Sequence, residues 1–250
     1  MQAFLTLTRR ELGGYLLSIT GYIIISAAVF LLGFSFVVLL VKLQSEPTSM
    51  PVTELFYITP FFWLILLLST PVITMRLFAL EKFTGTFETL MTTPISDLQV
   101  VLAKFTAAML FYLLLWLPLL GCLLIVRYYS SDAAALDWGM IGSTYLGILL
   151  LGALFISLGC LASALTQSQV TAAMISLLFG ASLFLLAVLA DQQAAQVTWQ
   201  LKLLSAFGLF TQMHDFSRGV VDTRAVVLYV TLSVFFLFVT LRIVESRRWK

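Results

Sequence analysis

Apolar residues along this chain come in long blocks, not in the alternation of a strand or the stripe of a soluble helix, and each block is bounded by charged or turn-forming residues. The first block covers 19–41 and is closed by Lys42 and Glu46-Pro47. At about 1.5 Å rise per residue it can cross a hydrocarbon layer of about 30 Å. The second covers 55–75, with Pro60 near its start and Pro71 near its end. Both prolines are tolerable in a membrane, where neighbouring helices and water satisfy the freed carbonyl groups. The third covers 100–126 and contains Pro118. From Trp138 to Ala190 no residue is charged, about twice the length one crossing needs, so this segment must fold back on itself. Its only polar break is Thr166-Gln167-Ser168-Gln169, which divides it into spans at 142–165 and 170–190 joined by a tight turn. A sixth, rather short span covers 225–241. The pattern predicts an all-α polytopic membrane protein with six transmembrane helices, a single domain over 1–250, and both termini on one side.

The segments between and before the spans carry helical signals of their own. Residues 1–18 place Thr6, Arg9, Arg10 and Gly13 on one helical face and Leu5, Leu12, Leu16 and Ile19 on the other, which suits an interfacial helix lying on the membrane. Arg9 and Arg10 at one end of the chain, and Arg247, Arg248 and Trp249 at the other, are interface anchors. An Arg-Arg pair ahead of an apolar run also opens twin-arginine export signals; here the run to Val41 is too long and no small-residue cleavage site follows. The loop 191–224 puts Leu203, Phe207, Phe210 and His214 on one potential helical face, so it either stays outside or re-enters the membrane. Ala172, Ser176 and Gly180 on span five, and Gly159 and Ser163 on span four, form small-residue ridges that allow close helix contact. These ridges need each other or a partner chain to cover them.

Between spans two and three, residues 76–104 gather charge and turn chemistry that the rest of the chain avoids. Phe83, Phe87, Leu90 and Met91 fall at i, i+4, i+7 and i+8, which predicts a lateral helix over 79–94. Its polar face would carry Lys82, Thr86, Glu88 and Thr89. Thr93 before Pro94 ends it. Ser96 and Gln99 then have capping-box spacing, and Ile95 and Val100 hydrophobic-staple spacing, so the next helix should start at Ser96.

Composition narrows the class further. With 61% hydrophobic and only 10% charged residues, the chain is too apolar for a soluble domain, and nothing supports nucleic-acid binding. A net charge of +2 says little, because in a membrane protein the distribution of Lys and Arg between loops carries the information. Arg9, Arg10, Arg76, Lys82, Lys104, Arg242, Arg247, Arg248 and Lys250 fall on the side of the termini, against Lys42, Arg127, Lys202, Arg218 and Arg224. Nine against five places the termini and the 79–94 segment in the cytoplasm, as expected of a multi-pass protein of a bacterial inner membrane. Cys122 and Cys160 both fall inside spans and read as buried thiols; no disulfide or metal site is expected.

The run Glu81-Lys82-Phe83-Thr84-Gly85-Thr86-Phe87-Glu88-Thr89-Leu90, followed by Thr93-Pro94-Ile95-Ser96, resembles the cytoplasmic coupling segment of type-2 ABC transporter permeases. His214-Asp215-Phe216-Ser217-Arg218-Gly219-Val220-Val221-Asp222, with the ending Glu245-Ser246-Arg247-Arg248-Trp249, is similar to the branch of these permeases found in gliding-motility and related export systems. The likeness covers nearly the whole chain and departs around 132–138 and 191–199. It implies a permease subunit of an ATP-driven exporter, paired with a second copy or a sister permease and surrounded by lipid, with an auxiliary envelope protein as a further candidate partner. Two separate ABC ATPase subunits, holding ATP and Mg, would dock beneath it. Glu81, Lys82, Phe83, Gly85, Thr86, Phe87, Glu88, Leu90 and Met91 are the coupling residues that the likeness implies, with Phe83, Phe87, Leu90 and Met91 facing an ATPase groove. Glu81 and Glu88 would then meet basic residues there, and Gly85 would allow close backbone approach.

Other chemistries find little footing. No Gly-rich loop with a following Lys-Ser/Thr exists, so the chain itself cannot hydrolyse ATP by the P-loop route and needs no cofactor of its own. The six predicted spans hold no carboxylate or His of the kind that ion-coupled transporters keep at membrane depth. His214, the only histidine, lies in a loop, and no Ser is set beside a base, which argues against an intramembrane protease. A non-transporting scaffold subunit of an ATPase-linked envelope machine is the alternative. Spans without charge suit lipid-linked, polymeric or peptide cargo better than a small ion.

Overall fold

A computed structural model describes residues 2–45, 52–87, 95–129, 138–192 and 208–248. The described residues are helical, without strands. They form α1 (Gln2–Leu16), α2 (Ile19–Ser45), α3 (Val52–Ile58), α4 (Pro60–Thr74), α5 (Ala79–Thr84), α6 (Asp97–Tyr129), α7 (Trp138–Leu165), α8 (Gln169–Gln192), α9 (Leu209–Ser217) and α10 (Thr223–Arg248). Among the described residues, six stretches are long and apolar enough to cross a membrane: Ile19–Gln44, Pro60–Thr84, Asp97–Tyr128, Trp138–Leu165, Gln169–Ala190 and Thr223–Ser246. Alternating crossings bring α1, α5 and the end of α10 to one end of the bundle, called the terminal end below. They leave α3 and α9 at the opposite, distal end.

The second and sixth crossings depart from the expected spans. The second does not run unbroken from 55: α3 stops at Ile58, Thr59 takes an extended conformation (φ −69°, ψ 139°), and α4 restarts with Pro60 at its first position. Proline disfavours the helical conformation in the residue before it and has no N–H to satisfy at a helix start, so a restart there is the natural outcome. The sixth crossing is longer than expected, because α10 continues as helix through Arg242 to Arg248, with Arg242 paired to Glu245 at 2.9 Å one turn on. The turn between α7 and α8 is tight, as the polar break predicted: α7 ends at Leu165 and α8 begins at Gln169.

The bundle is organised around α7, the most deeply buried crossing, against which α4, α6, α8, α9 and α10 pack. Small residues on α7 admit its neighbours. A β-carbon at Gly152 would lie 2.2 Å from the Tyr112 ring of α6, and one at Gly159 would lie 2.1 Å from Thr74 Oγ1 of α4. In a membrane, where lipid tails are as apolar as Leu, such close approach is a main source of helix association. The ridge Ala172, Ser176 and Gly180 on α8 is likewise buried within this one chain, with Gly180 facing Phe155 of α7. That ridge needs no second copy to cover it. The outward faces remain apolar, with Phe30 and Phe34 on α2, Met174 and Leu178 on α8 and Val234 and Phe238 on α10 all exposed.

The N-terminal helix uses a different face from the expected one. Leu7, Thr8 and Tyr15 are buried, Phe4, Glu11 and Leu12 are partly so, and Leu5 is exposed. Residues 4, 7, 8, 11, 12 and 15 make one stripe at helical spacing, and it packs on α6 inside the protein. Tyr15 stacks on Phe111 with ring centroids 5.0 Å apart.

Candidate functional site

The segment that leads from α4 to α6, with α5 in it, sits at the terminal end, and α1, α2, α6 and α7 hold it there. Its support begins with α4, whose last carbonyl groups have no partner within the helix. Tyr15 OH of α1 donates to Ile73 O at 2.8 Å and satisfies one of them. Helix α5 then starts without a capping side chain of its own. Ser163 of α7 supplies the cap from outside: the N–H groups of Phe78 and Ala79 donate to its Oγ at 3.0 and 3.1 Å. Lys82 returns the favour by donating to Ala164 O, one of the free carbonyls at the end of α7. Arg76 donates to Ser18 Oγ and Thr20 Oγ1 at the junction of α1 and α2.

Charge completes the anchorage. Lys104 of α6, its side chain only 1% exposed, places Nζ 2.9 Å from Glu81 Oε1 of α5 and 3.1 Å from Glu11 Oε1 of α1. Arg10 Nη2 lies 2.9 Å from Glu11 and 3.1 Å from Glu81, so two cations and two carboxylates form one neutral cluster. Burial alone would push the Glu11 carboxyl up, but Lys104 and Arg10 together hold it below the usual carboxylate range. A buried lysine surrounded this way is tolerated because each charge has a partner; removing one partner strands the rest. The cluster ties α1, α5 and α6 together.

The lateral helix expected over 79–94 is broken. Helix α5 ends at Thr84, and Gly85 takes a left-handed conformation with φ 74°, which residues bearing a β-carbon adopt only at a cost. Nothing lies near its absent side chain, so Gly85 serves the turn and not a close approach within the chain. Because of that break Phe83 and Phe87 do not share a face. Phe83 is 76% exposed, whereas Phe87 is 8% exposed and turned into the protein, with Lys82 Nζ 5.6 Å from its ring centre. Glu81 faces inward to Lys104 and Arg10, and Arg10 faces this cluster as well as the surface. Phe83, Thr84, Gly85 and Thr86 therefore make the outward surface. Glu88, Leu90, Met91 and Trp249 lie outside the described residues, and Arg9 is exposed on α1, with Arg247 and Arg248 at the end of α10. The next helix starts as the capping pattern predicted, with Gln99 N–H donating to Ser96 Oγ at 3.4 Å.

Sequence reasoning missed the internal role of Lys104, and missed Glu54 altogether. Lys104 sits four residues into a predicted span, and a lone Lys there is a signal for a buried partner. Glu54, one residue outside the predicted second span, is 2% exposed at the distal end. Arg218 Nε and Nη2 donate to its two oxygens at 3.0 and 3.1 Å, and His214 Nε2 lies 2.8 Å from Oε1. Among the described residues no group of His, Cys, Asp and Glu suits a metal ion.

A search of curated proteins returned no match. A sequence model of the family described as "ABC-2 family transporter protein" matches residues 22–220, well over half of the chain and all of the crossings but the last. Six apolar helices, the buried glycine-bearing α7 among them, thus accompany a family match over most of the chain, and the chain belongs to the ABC-2 family of transporter proteins.

Proposed function

We propose that this chain is the membrane-spanning permease subunit of an ATP-driven exporter, working with separate ATPase subunits that hold ATP and Mg. The observation that carries the reading is the outward surface Phe83–Thr86, an exposed aromatic beside a left-handed glycine, mounted on a segment bonded to α1, α2, α6 and α7. Exposed aromatic side chains anchor protein interfaces, and a rigid mount is what lets a push on the anchor move helices instead of bending a loop. In this reading the ATPase pair closes, displaces Phe83 and α5, and the movement passes through Glu81, Lys104 and Ser163 to the crossings.

The Lys and Arg bias supports a cytoplasmic placement of both termini and of this surface, in a bacterial inner membrane. A second permease copy, or a sister permease, would complete the path. A gliding-motility-like branch belongs to this reading, and a lipid-linked, polymeric or peptide cargo fits crossings whose charges lie only near their ends.

Copurification tests the reading. The intact protein should bring down an ABC ATPase from native membranes, and Phe83→Asp should release it while the permease stays at normal abundance. A Phe83→Asp protein that keeps its ATPase and its export phenotype would overturn it. A scaffold, by contrast, would keep its cellular role when its ATPase binds but cannot hydrolyse ATP.

A further inference from the structure

The distal end carries a second buried charge cluster that transport by way of the Phe83 surface leaves without a role. Helix α3 holds the α9 end in three ways, two of them through Glu54. The Glu54 carboxylate accepts two bonds from Arg218 and faces His214, while the neighbouring Thr53 Oγ1 donates to Ser217 O at 2.9 Å. Below this contact α9 lies against α7: Met213 is fully buried, and a β-carbon at Gly147 would sit 2.8 Å from its sulfur. Ser143 Oγ of α7 donates to Phe216 O at 2.6 Å. The partners at the rim are unequal in exposure. Glu54 is 2% exposed, whereas Arg218 and His214 are 48% and 38% exposed, so the carboxylate is the buried member and its two partners cover it from solvent.

Position gives the cluster its meaning. Glu54 and Glu81 lie at the two ends of one continuous piece, α3–α4–α5, and each is held by an ion cluster at its own end of the bundle. α4 packs between α2, α7 and α8, so the piece runs through the middle of the protein. A shift of α5 at the terminal end therefore loads the α3–α9 contact through α4, with the Thr59–Pro60 junction as the place where the backbone can swing.

We infer that Glu54 is a positioning residue that latches α9 onto α3 and α7 at the distal end, and that the latch releases when the coupling segment moves. This rests on the transport reading above for its trigger, but the latch itself does not. Release needs no change in chemistry: Arg218 and His214 are already near water and can take solvent in place of Glu54 once α3 tilts.

The experiment uses the full chain with Cys122 and Cys160 replaced by Ala and with Met213→Cys as reporter, in open membrane fragments where a maleimide reaches both faces. With Glu54 intact, position 213 should label slowly. Glu54→Gln should speed labelling roughly tenfold to a hundredfold, the range expected for losing a hydrogen-bonded charge pair. The exchanged pair Glu54→Arg with Arg218→Glu should return the rate toward that of the parent. In fragments that retain the ATPase, ATP with Mg should speed labelling several-fold in the parent and add little in Glu54→Gln, a response that a merely structural residue would not show. A Glu54→Gln rate equal to the parent's overturns the latch, whether or not an ATPase is retained. A parent rate that ignores nucleotide, in fragments that hydrolyse ATP, overturns its release. Fragments that retain no ATPase count against the transport reading alone, and the Glu54→Gln comparison still decides the latch.

Discussion

Lys104 Nζ lies 2.9 Å from Glu81 Oε1, and this pair joins the first turns of the third crossing to the segment that precedes it. Both side chains are withdrawn from solvent, and Glu11 and Arg10 complete the set of charges. The energetic consequence is asymmetric. Keeping the whole cluster contributes little beyond an apolar equivalent, but stranding one member of a buried pair costs about 3–5 kcal/mol.

Lys104→Met should therefore lower the melting temperature of the solubilised protein more than the triple variant Lys104→Met, Glu81→Gln, Glu11→Gln does. Thermal unfolding followed by tryptophan fluorescence would show it. If the single change is the milder of the two, the cluster is not buried as described.

The two phenylalanines of the coupling segment should behave in opposite ways. Phe87→Asp puts a carboxylate in an apolar site within the chain, a cost of several kcal/mol, and should reduce membrane abundance. Phe83→Asp leaves the carboxylate in solvent and should leave abundance unchanged while ATPase copurification falls. Immunoblotting of membranes alongside the pull-down separates the two.

At Gly85 the backbone, not the space, is limiting. Leu or Ala there must adopt φ 74° at a cost of about 1–2 kcal/mol, whereas Asn tolerates that region better. Gly85→Ala and Gly85→Leu should thus be similar in effect and Gly85→Asn milder, measured as protease susceptibility between residues 79 and 94. A strong Leu effect with a silent Ala would point to crowding against a partner instead.

Acid should weaken the α3–α9 contact. Burial pushes the Glu54 carboxyl up, but Arg218 and His214 outweigh it and hold it below its ordinary value, with Tyr57 on α3 and Asp215 on α9 the other titratable groups nearby. A group depressed in the folded state stabilises fully above its unfolded pKa, about 4.3 for Glu, and loses that contribution as pH falls through the folded value. The melting-temperature gap between parent and Glu54→Gln should close as the pH falls below about 4. A gap that stays open below that pH would contradict the geometry.

What the sequence alone determined here is the set of crossings. Whether eighteen or more residues leave water for hydrocarbon depends on those residues alone, so the blocks 19–41, 100–126, 142–165 and 170–190 and the Thr166–Gln169 turn were legible before any neighbour was known. The Ser96 start of α6 was legible for the same reason, since a cap is a contact between residues three apart. The tertiary structure decided everything that depends on which helix ends meet. Glu81 reads as a partner-facing acid until α1 and α6 bring Arg10 and Lys104 to it, and Glu54 as a loop acid until α9 arrives from residue 209 onward. The periodicity that put Phe83 and Phe87 on one face assumed an unbroken helix, and a single left-handed residue at Gly85 cancelled it. Burial of the Ala172–Gly180 ridge was likewise a matter of what stood opposite; α7, with Phe155, stands there, so a pattern that admits any close neighbour was satisfied within the chain. Solvation is summed along the chain, but pairing of charges and packing of ridges are set across it, between residues up to 164 apart.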